Sequence, residues 1–150
     1  MPTTPTPPPR FIDDYLSYLL ARASQAVYRE FERQVRAAGL ASLEWRVLAT
    51  LSDGDGMTVG ELAREVLAKQ PTLTKLVQRM AGAGWVTLGS DDADARRTRV
   101  VATRKGRDAV ARLIRAAKRH EVEALASFSE REVATLKKIL SALIERSERA

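Results

Sequence analysis

The sequence predicts a mainly α fold with a minor β component: four helices, one β-hairpin, then two more helices. Three observations predict it. Apolar residues recur at steps of three and four over most of the chain. Capping signals stand at the starts of several of those periodic segments. Between residues 85 and 102, two short runs rich in Val and Thr flank a polar loop, the pattern of a hairpin.

Taken in order, residues 1–9 hold four prolines at positions 5–9 and no apolar run. They read as a disordered Pro-rich tail, neither a signal peptide nor a helix. From Phe11 to about Ala38 the positions Ile12, Tyr15, Leu16, Leu19, Ala23, Val27, Phe31, Val35 and Ala38 form one apolar stripe. The stripe describes a single amphipathic helix of about 40 Å at ~1.5 Å per residue, stopped by Gly39. Ser42 caps a second helix, Leu43 to Leu51, which ends at the turn cluster of residues 52–56. Thr58-Val59-Gly60-Glu61 is a capping box that opens a short third helix to about Val66. Pro71 takes the first helical position of the fourth helix, which Gly82 and Gly84 end.

The strands are Trp85 to Leu88 and Thr98 to Ala102, joined by residues 89–97. A loop of roughly nine residues is long for a hairpin, and long loops often carry function. Thr103 caps a fifth helix with Val110, Leu113, Ile114 and Ala117 on one side, continuing to about Leu125. Ser129-Glu130-Arg131-Glu132 is a second capping box and starts a sixth helix, with Val133, Leu136, Leu140, Leu143 and Ile144 turned inward.

Composition narrows the chemistry. With 45% hydrophobic and 29% charged residues the chain is globular rather than disordered. No apolar run approaches the roughly 18–20 residues that span a bilayer, so the expected location is cytoplasmic with no membrane partner. There is no cysteine, which excludes disulfides, thiolate catalysis and Cys-based zinc sites. His120 is the one histidine, so one chain offers neither a catalytic triad nor a two-His metal site. No cofactor and no metal are expected. Gly54-Asp55-Gly56 near Gly60 is a faint glycine-rich loop, but no Gly-Lys-Ser/Thr follows it. An enzyme reading therefore has nothing to stand on.

The net charge of +6 is concentrated. From Thr58 to Arg107 there are 10 Lys and Arg against 5 acids, while the other 100 residues hold 15 against 14. A local excess of this kind marks a surface that faces a polyanion.

The third and fourth helices have helix-turn-helix spacing, the second of them beginning near Pro71-Thr72. On a helical wheel Leu73, Leu76, Val77 and Met80 share one arc. Thr72, Thr74, Lys75, Gln78 and Arg79 hold the other, with Gln70 at the start, and no acid occurs between Glu65 and Asp91. Hydroxyls at the helix start can meet phosphates or bases, and the longer Lys, Gln and Arg have the reach for base edges. After such a pair of helices the hairpin reads as a wing. Arg96 and Arg97 at its tip can enter a minor groove, with an Asp–Arg contact orienting a guanidinium. The middle of the chain builds its core from Val47, Leu48, Leu51, Leu62, Val66, Leu73, Leu76, Val77 and Trp85. The terminal helices are too extended to be covered by that core, so their stripes predict a symmetric dimer.

Here the sequence resembles a known family. Glu61-Leu62-Ala63, the run Pro71 to Met80, Gly84-Trp85-Val86, Asp91 to Arg96 and Thr103-Arg104-Lys105-Gly106 are similar to the motifs of the MarR family of winged helix-turn-helix regulators. The resemblance implies homodimers joined by the terminal helices and bound to double-stranded DNA at pseudo-palindromic operators. It also implies repressors released by small aromatic or phenolic ligands. By position it places Thr72, Thr74 and Lys75 at recognition-helix contacts and Arg96 at the wing arginine, with Asp94 orienting it. Leu67 stands where the family often has a turn glycine, and Lys69 where a serine cap is common. The family's usual effector pocket implies Tyr15, Tyr18 and Arg22 on the first helix and Trp45 on the second, a set suited to an aromatic carboxylate.

The expected organisation is therefore one winged helix-turn-helix domain over residues 10–150. Its DNA-binding lobe spans about 43–102, and its dimerisation helices about 11–38 and 104–148. The alternative readings are a winged-helix protein-interaction module and a DNA-binding protein without sequence preference.

Overall fold

The computed structural model describes residues 8–149, so residues 1–7 of the expected tail lie outside the described residues. A short 3-10 turn, Phe11–Asp13, precedes six α-helices and three strands. The helices are α1 Leu16–Ala37, α2 Ser42–Leu51, α3 Val59–Glu65, α4 Gln70–Gly82, α5 Arg104–Ala124 and α6 Glu130–Glu148. The strands are β1 Met57–Thr58, β2 Val86–Ser90 and β3 Thr98–Ala102. They form one antiparallel sheet in the order β1-β3-β2.

The first helix does not run unbroken from Phe11. Arg10 forks the Asp13 carboxylate at 2.9 and 2.7 Å and closes the 3-10 turn. Asp14 then leaves helical geometry at φ −119°, ψ 6°, and Tyr15 is extended as the N-cap of α1. Ser42 is likewise not the cap of α2. Ala41 holds that position, with its N–H donating to Glu44 Oε2 at 2.9 Å. The Ser42 hydroxyl is occupied instead by Tyr28 OH at 2.9 Å, a tie between α1 and α2.

Three other boundaries differ from the periodicity. Met57, left unassigned between the turn cluster and the capping box, and Thr58, the cap of α3, also pair with Val100 and Arg99 as β1. Two residues carry no alternation, so only the ladder reveals them as a strand. α4 begins at Gln70 rather than Pro71, a shift within the usual fraying of helix ends. β2 starts one residue after Trp85 and runs to Ser90, which shortens the tip to residues 91–97.

The capping boxes at Thr58–Glu61 and Ser129–Glu132 are present with both reciprocal bonds. Thr103 caps α5, accepting the Gly106 N–H at 3.1 Å. Gly106 lets α5 pack directly on the start of the hairpin, since a Cβ there would collide with the Trp85 carbonyl oxygen.

The buried residues form one cluster, from Phe31 and Val35 of α1 through α2–α4 and the sheet to Val110, Leu113 and Ala116 of α5. The expected central core is within it, except that Trp85 is half-buried. The terminal stripes behave differently. Only Phe31 and Val35 of α1 are buried, and no residue of α6 is. Leu136 and Ile144, expected to face inward, are exposed within the single chain. Among the described residues no helix is long and apolar enough to cross a membrane.

Candidate nucleic-acid interface

α4 buries Leu73, Leu76, Val77 and Met80 and leaves Gln70, Thr72, Lys75, Gln78 and Arg79 exposed. Thr74 lies between the two faces. Its hydroxyl donates to Gln70 O at 2.9 Å, so the proton is committed to the helix and only lone pairs face outward. The turn before α4 places Leu67 at φ +56°, so the position where a glycine is common carries a left-handed leucine. Lys69 is the N-cap and makes no side-chain capping bond.

At the hairpin tip Asp94 gathers both arginines. Its Oδ1 accepts from Arg96 N at 3.1 Å and Arg96 Nε at 3.2 Å, and its Oδ2 stands 3.7 Å from Arg97 Nε. The Arg96 backbone N–H, and after it the Arg96 guanidinium, hold the Asp94 carboxyl below the ordinary aspartate range. Asp94 is therefore ionised at neutral pH and keeps its grip. Arg96 itself is 92% exposed, so its remaining donors face solvent.

The structure brings α4 and the hairpin to one concavity. A cleft of about 770 Å³ is lined by Gln70, Thr74, Gln78, Arg96 and Arg97, with Arg64 of α3 opposite. Thr72, Lys75 and Arg79 are exposed on α4 but do not line this cleft. Arg64 is a cleft residue that sequence reasoning missed. Its signal was present in the located charge but not in any motif. Lys105, counted in the same charge excess, is partly diverted: its Nζ donates to Ala83 O at 2.7 Å and lies 5.1 Å from the Trp85 ring centroid.

The four residues implied for an effector are not brought together in one chain. Tyr15 stacks on Phe11 with centroids 5.1 Å apart, and the Arg22 guanidinium lies 5.7 Å from the Tyr18 ring. Trp45 instead meets Phe31 edge-on at 5.3 Å and lines a second cleft of about 760 Å³ between α2 and α5. Arg107, Arg115 and Lys118 line that cleft too, with Ala49, Ala111 and Ile114 supplying apolar surface. Tyr15, Tyr18 and Arg22 do not reach it. Sequence periodicity could not separate them, because which helix faces meet is decided by packing. His120, beside this region on α5, pairs with Glu30 of α1 at 3.1 Å.

Two short helices in tandem and an arginine-tipped hairpin across a shared basic cleft define the DNA-binding class of winged helix-turn-helix proteins. The chain belongs to the MarR family, whose model matches residues 38–97. It is 36% identical to a MarR family transcriptional regulator from Silicibacter pomeroyi of known structure, covering 91% of this chain and 98% of that one with a TM-score of 0.81. It is 35% identical over 95 residues to the transcriptional activatory protein BadR of Rhodopseudomonas palustris, covering 61% of this chain and 54% of that protein. It is 31% identical over 101 residues to the transcriptional repressor IacR of Pseudomonas putida, covering 67% of this chain and 60% of that protein. The matches thus span little more than half the length of these curated relatives. All three are transcriptional regulators rather than enzymes.

Proposed function

We propose that the protein is a homodimeric, sequence-specific regulator that represses transcription from a pseudo-palindromic operator and is released by a small aromatic acid or phenol. The observation that carries this reading is the shared cleft, where Gln70, Thr74 and Gln78 of α4 face Arg96 and Arg97 of the wing. A duplex laid across it would take α4 in its major groove, with Thr72, Lys75 and Arg79 reaching phosphates or base edges along the exposed face. The wing arginines would follow the flanking minor groove or backbone.

The partner in the dimer is a second copy of the chain. Leu16, Leu19, Leu20 and Val27 of α1 and Leu136, Ile139 and Ile144 of α6 are exposed. A helix with no buried residue is marginal in water, and stripes at both chain ends can close on themselves about a twofold axis. Two copies would then present two α4 helices to successive major grooves about 34–36 Å apart.

The effector reading rests on the cleft beside Trp45, where the indole stands among apolar residues and Arg115 and Lys118 could pair with an aromatic carboxylate in competition with Asp53, Asp108 and Glu121 of the same lining. Tyr15, Tyr18 and Arg22 join that site only as residues of the second copy, which links ligand binding to dimer geometry. BadR is named as an activator and IacR as a repressor, so both signs occur among its relatives. Repression is the sign proposed here, and it needs a modest bias: release by ~100-fold corresponds to about 2.7 kcal/mol of differential affinity.

Fluorescence anisotropy tests the reading. The protein should bind a duplex from its own promoter region more tightly than a random duplex, and an aromatic carboxylate should weaken that binding. Lys75→Ala should cost about 1–3 kcal/mol if it reads a base, or reduce the salt slope by about 1 if it meets a phosphate. Equal affinity for the two duplexes would overturn sequence-specific binding.

A further inference from the structure

We propose that Arg99 and Asp91 are positioning residues for the wing, fixing the tip that carries Arg96 to the turn between α2 and β1. The inference rests on the reading of Arg96 as a DNA contact and adds two residues to it. Asp91 and Thr58 are the two polar residues buried among those described, Asp91 as the first residue of the tip and Thr58 in β1 opposite Arg99.

The Arg99 guanidinium is engaged there through each of its three nitrogens. Its Nε donates to Asp55 O at 3.1 Å, its Nη2 to Gly56 O at 3.0 Å and its Nη1 to Asp91 Oδ1 at 3.1 Å. Arg107 Nη2 takes the preceding carbonyl, Gly54 O, at 3.1 Å. Three successive turn carbonyls are thus held by two arginines. Gly56 at φ +91° makes this possible, because a side chain there would collide with the Val100 carbonyl of β3.

The chain of bonds continues outward. Asp91 Oδ2 accepts the Asp94 N–H at 3.3 Å, the Asp91 N–H donates to Arg97 O at 3.0 Å, and Asp94 holds Arg96. The turn, Arg99, Asp91, Asp94 and Arg96 therefore form one connected path.

The need for such a path follows from the sheet. β1 pairs with β3 only at Val100 and Arg99, so beyond Arg99 the tip is carried by two strands alone and by one ladder pair, Ser90 with Thr98. Isolated two-stranded ribbons are marginal in water. An arginine on a loose tip must be ordered when it binds, which weakens affinity. The planar guanidinium of Arg99 spans two carbonyls and a carboxylate at once, which the single ammonium of a lysine does not reproduce.

A double-mutant cycle on operator affinity tests the proposal. Arg96→Ala and Arg99→Gln should each weaken binding about tenfold, and the double variant should be little worse than Arg96→Ala alone. Arg99→Lys, which keeps the charge, should not restore affinity. Asp91→Asn enters the same cycle should Arg99→Gln fail to fold, and should couple to Arg96 equally. In the free protein, amide exchange at Asp94 should accelerate in the Arg99 or Asp91 variant while Val47 in the core is unchanged. Additive losses, rescue by lysine, or unchanged exchange at Asp94 overturn the inference. Arg96→Ala without effect overturns it together with the wing reading beneath it, whereas an Arg96→Ala loss with an additive Arg99→Gln loss overturns the inference alone.

Discussion

Leu67 shows what one residue can cost and what it leaves intact. Its φ of +56° lies in the region that favours glycine, and its side chain is 84% exposed, so no contact compensates the backbone. Left-handed geometry costs an L-residue about 1–2 kcal/mol, and glycine gives back roughly 0.5–1 through its looser unfolded state. Leu67→Gly should therefore stabilise the fold by about 0.5–1 kcal/mol, read as a higher urea midpoint at unchanged slope. A lower midpoint would mean that the leucine makes a contact outside this chain. Residue identity showed the departure from a turn glycine. Only the dihedral showed that the turn keeps its shape regardless. Thr74 teaches the converse: the wheel placed it on the outer face, but its proton is used within the helix.

Elements whose start is written locally were legible from the sequence. Thr58, Thr103 and Ser129 cap α3, α5 and α6 because each hydroxyl can reach an amide three residues on. The backbone N–H and then the hydroxyl of Ser129 hold the Glu132 carboxyl below its ordinary range, and Thr58 does the same to Glu61. The sign of the linkage follows. A depressed carboxylate contributes stability that is complete above its unfolded value and is lost as the pH falls through the lower folded value. Thermal melts should show Glu132→Gln less stable than wild type at neutral pH, with the difference closing as the pH falls below the ordinary glutamate value. A difference independent of pH would assign the effect to shape rather than charge. Ser42 was misread and β1 went unseen for the opposite reason. A partner distant in sequence, Tyr28 for the one and β3 for the other, decided each.

The whole molecule turns on what α1 and α6 meet. Ile139 is 54% exposed in the single chain, so a charge there should cost the isolated fold little. At the twofold interface proposed above it would be buried without a partner. Sedimentation should find the wild type dimeric at micromolar concentration and Ile139→Glu shifted towards monomer, with operator affinity lost in parallel. A wild type that sediments as a monomer at every concentration would remove the dimer.

The sequence by itself determined the order of the helices, most of their caps, the apolar face of α4 and the concentration of positive charge between Thr58 and Arg107. These depend on local periodicity and near-neighbour chemistry, which a linear string records. Only the tertiary structure decided that the wing tip and α4 share one cleft, that Arg64 belongs to it, and that Trp45 lies apart from Tyr15, Tyr18 and Arg22. It also decided that Arg99 spans 43 and 44 residues of sequence to reach Gly56 and Asp55. Such contacts depend on which faces pack together, and no spacing in the chain encodes that choice.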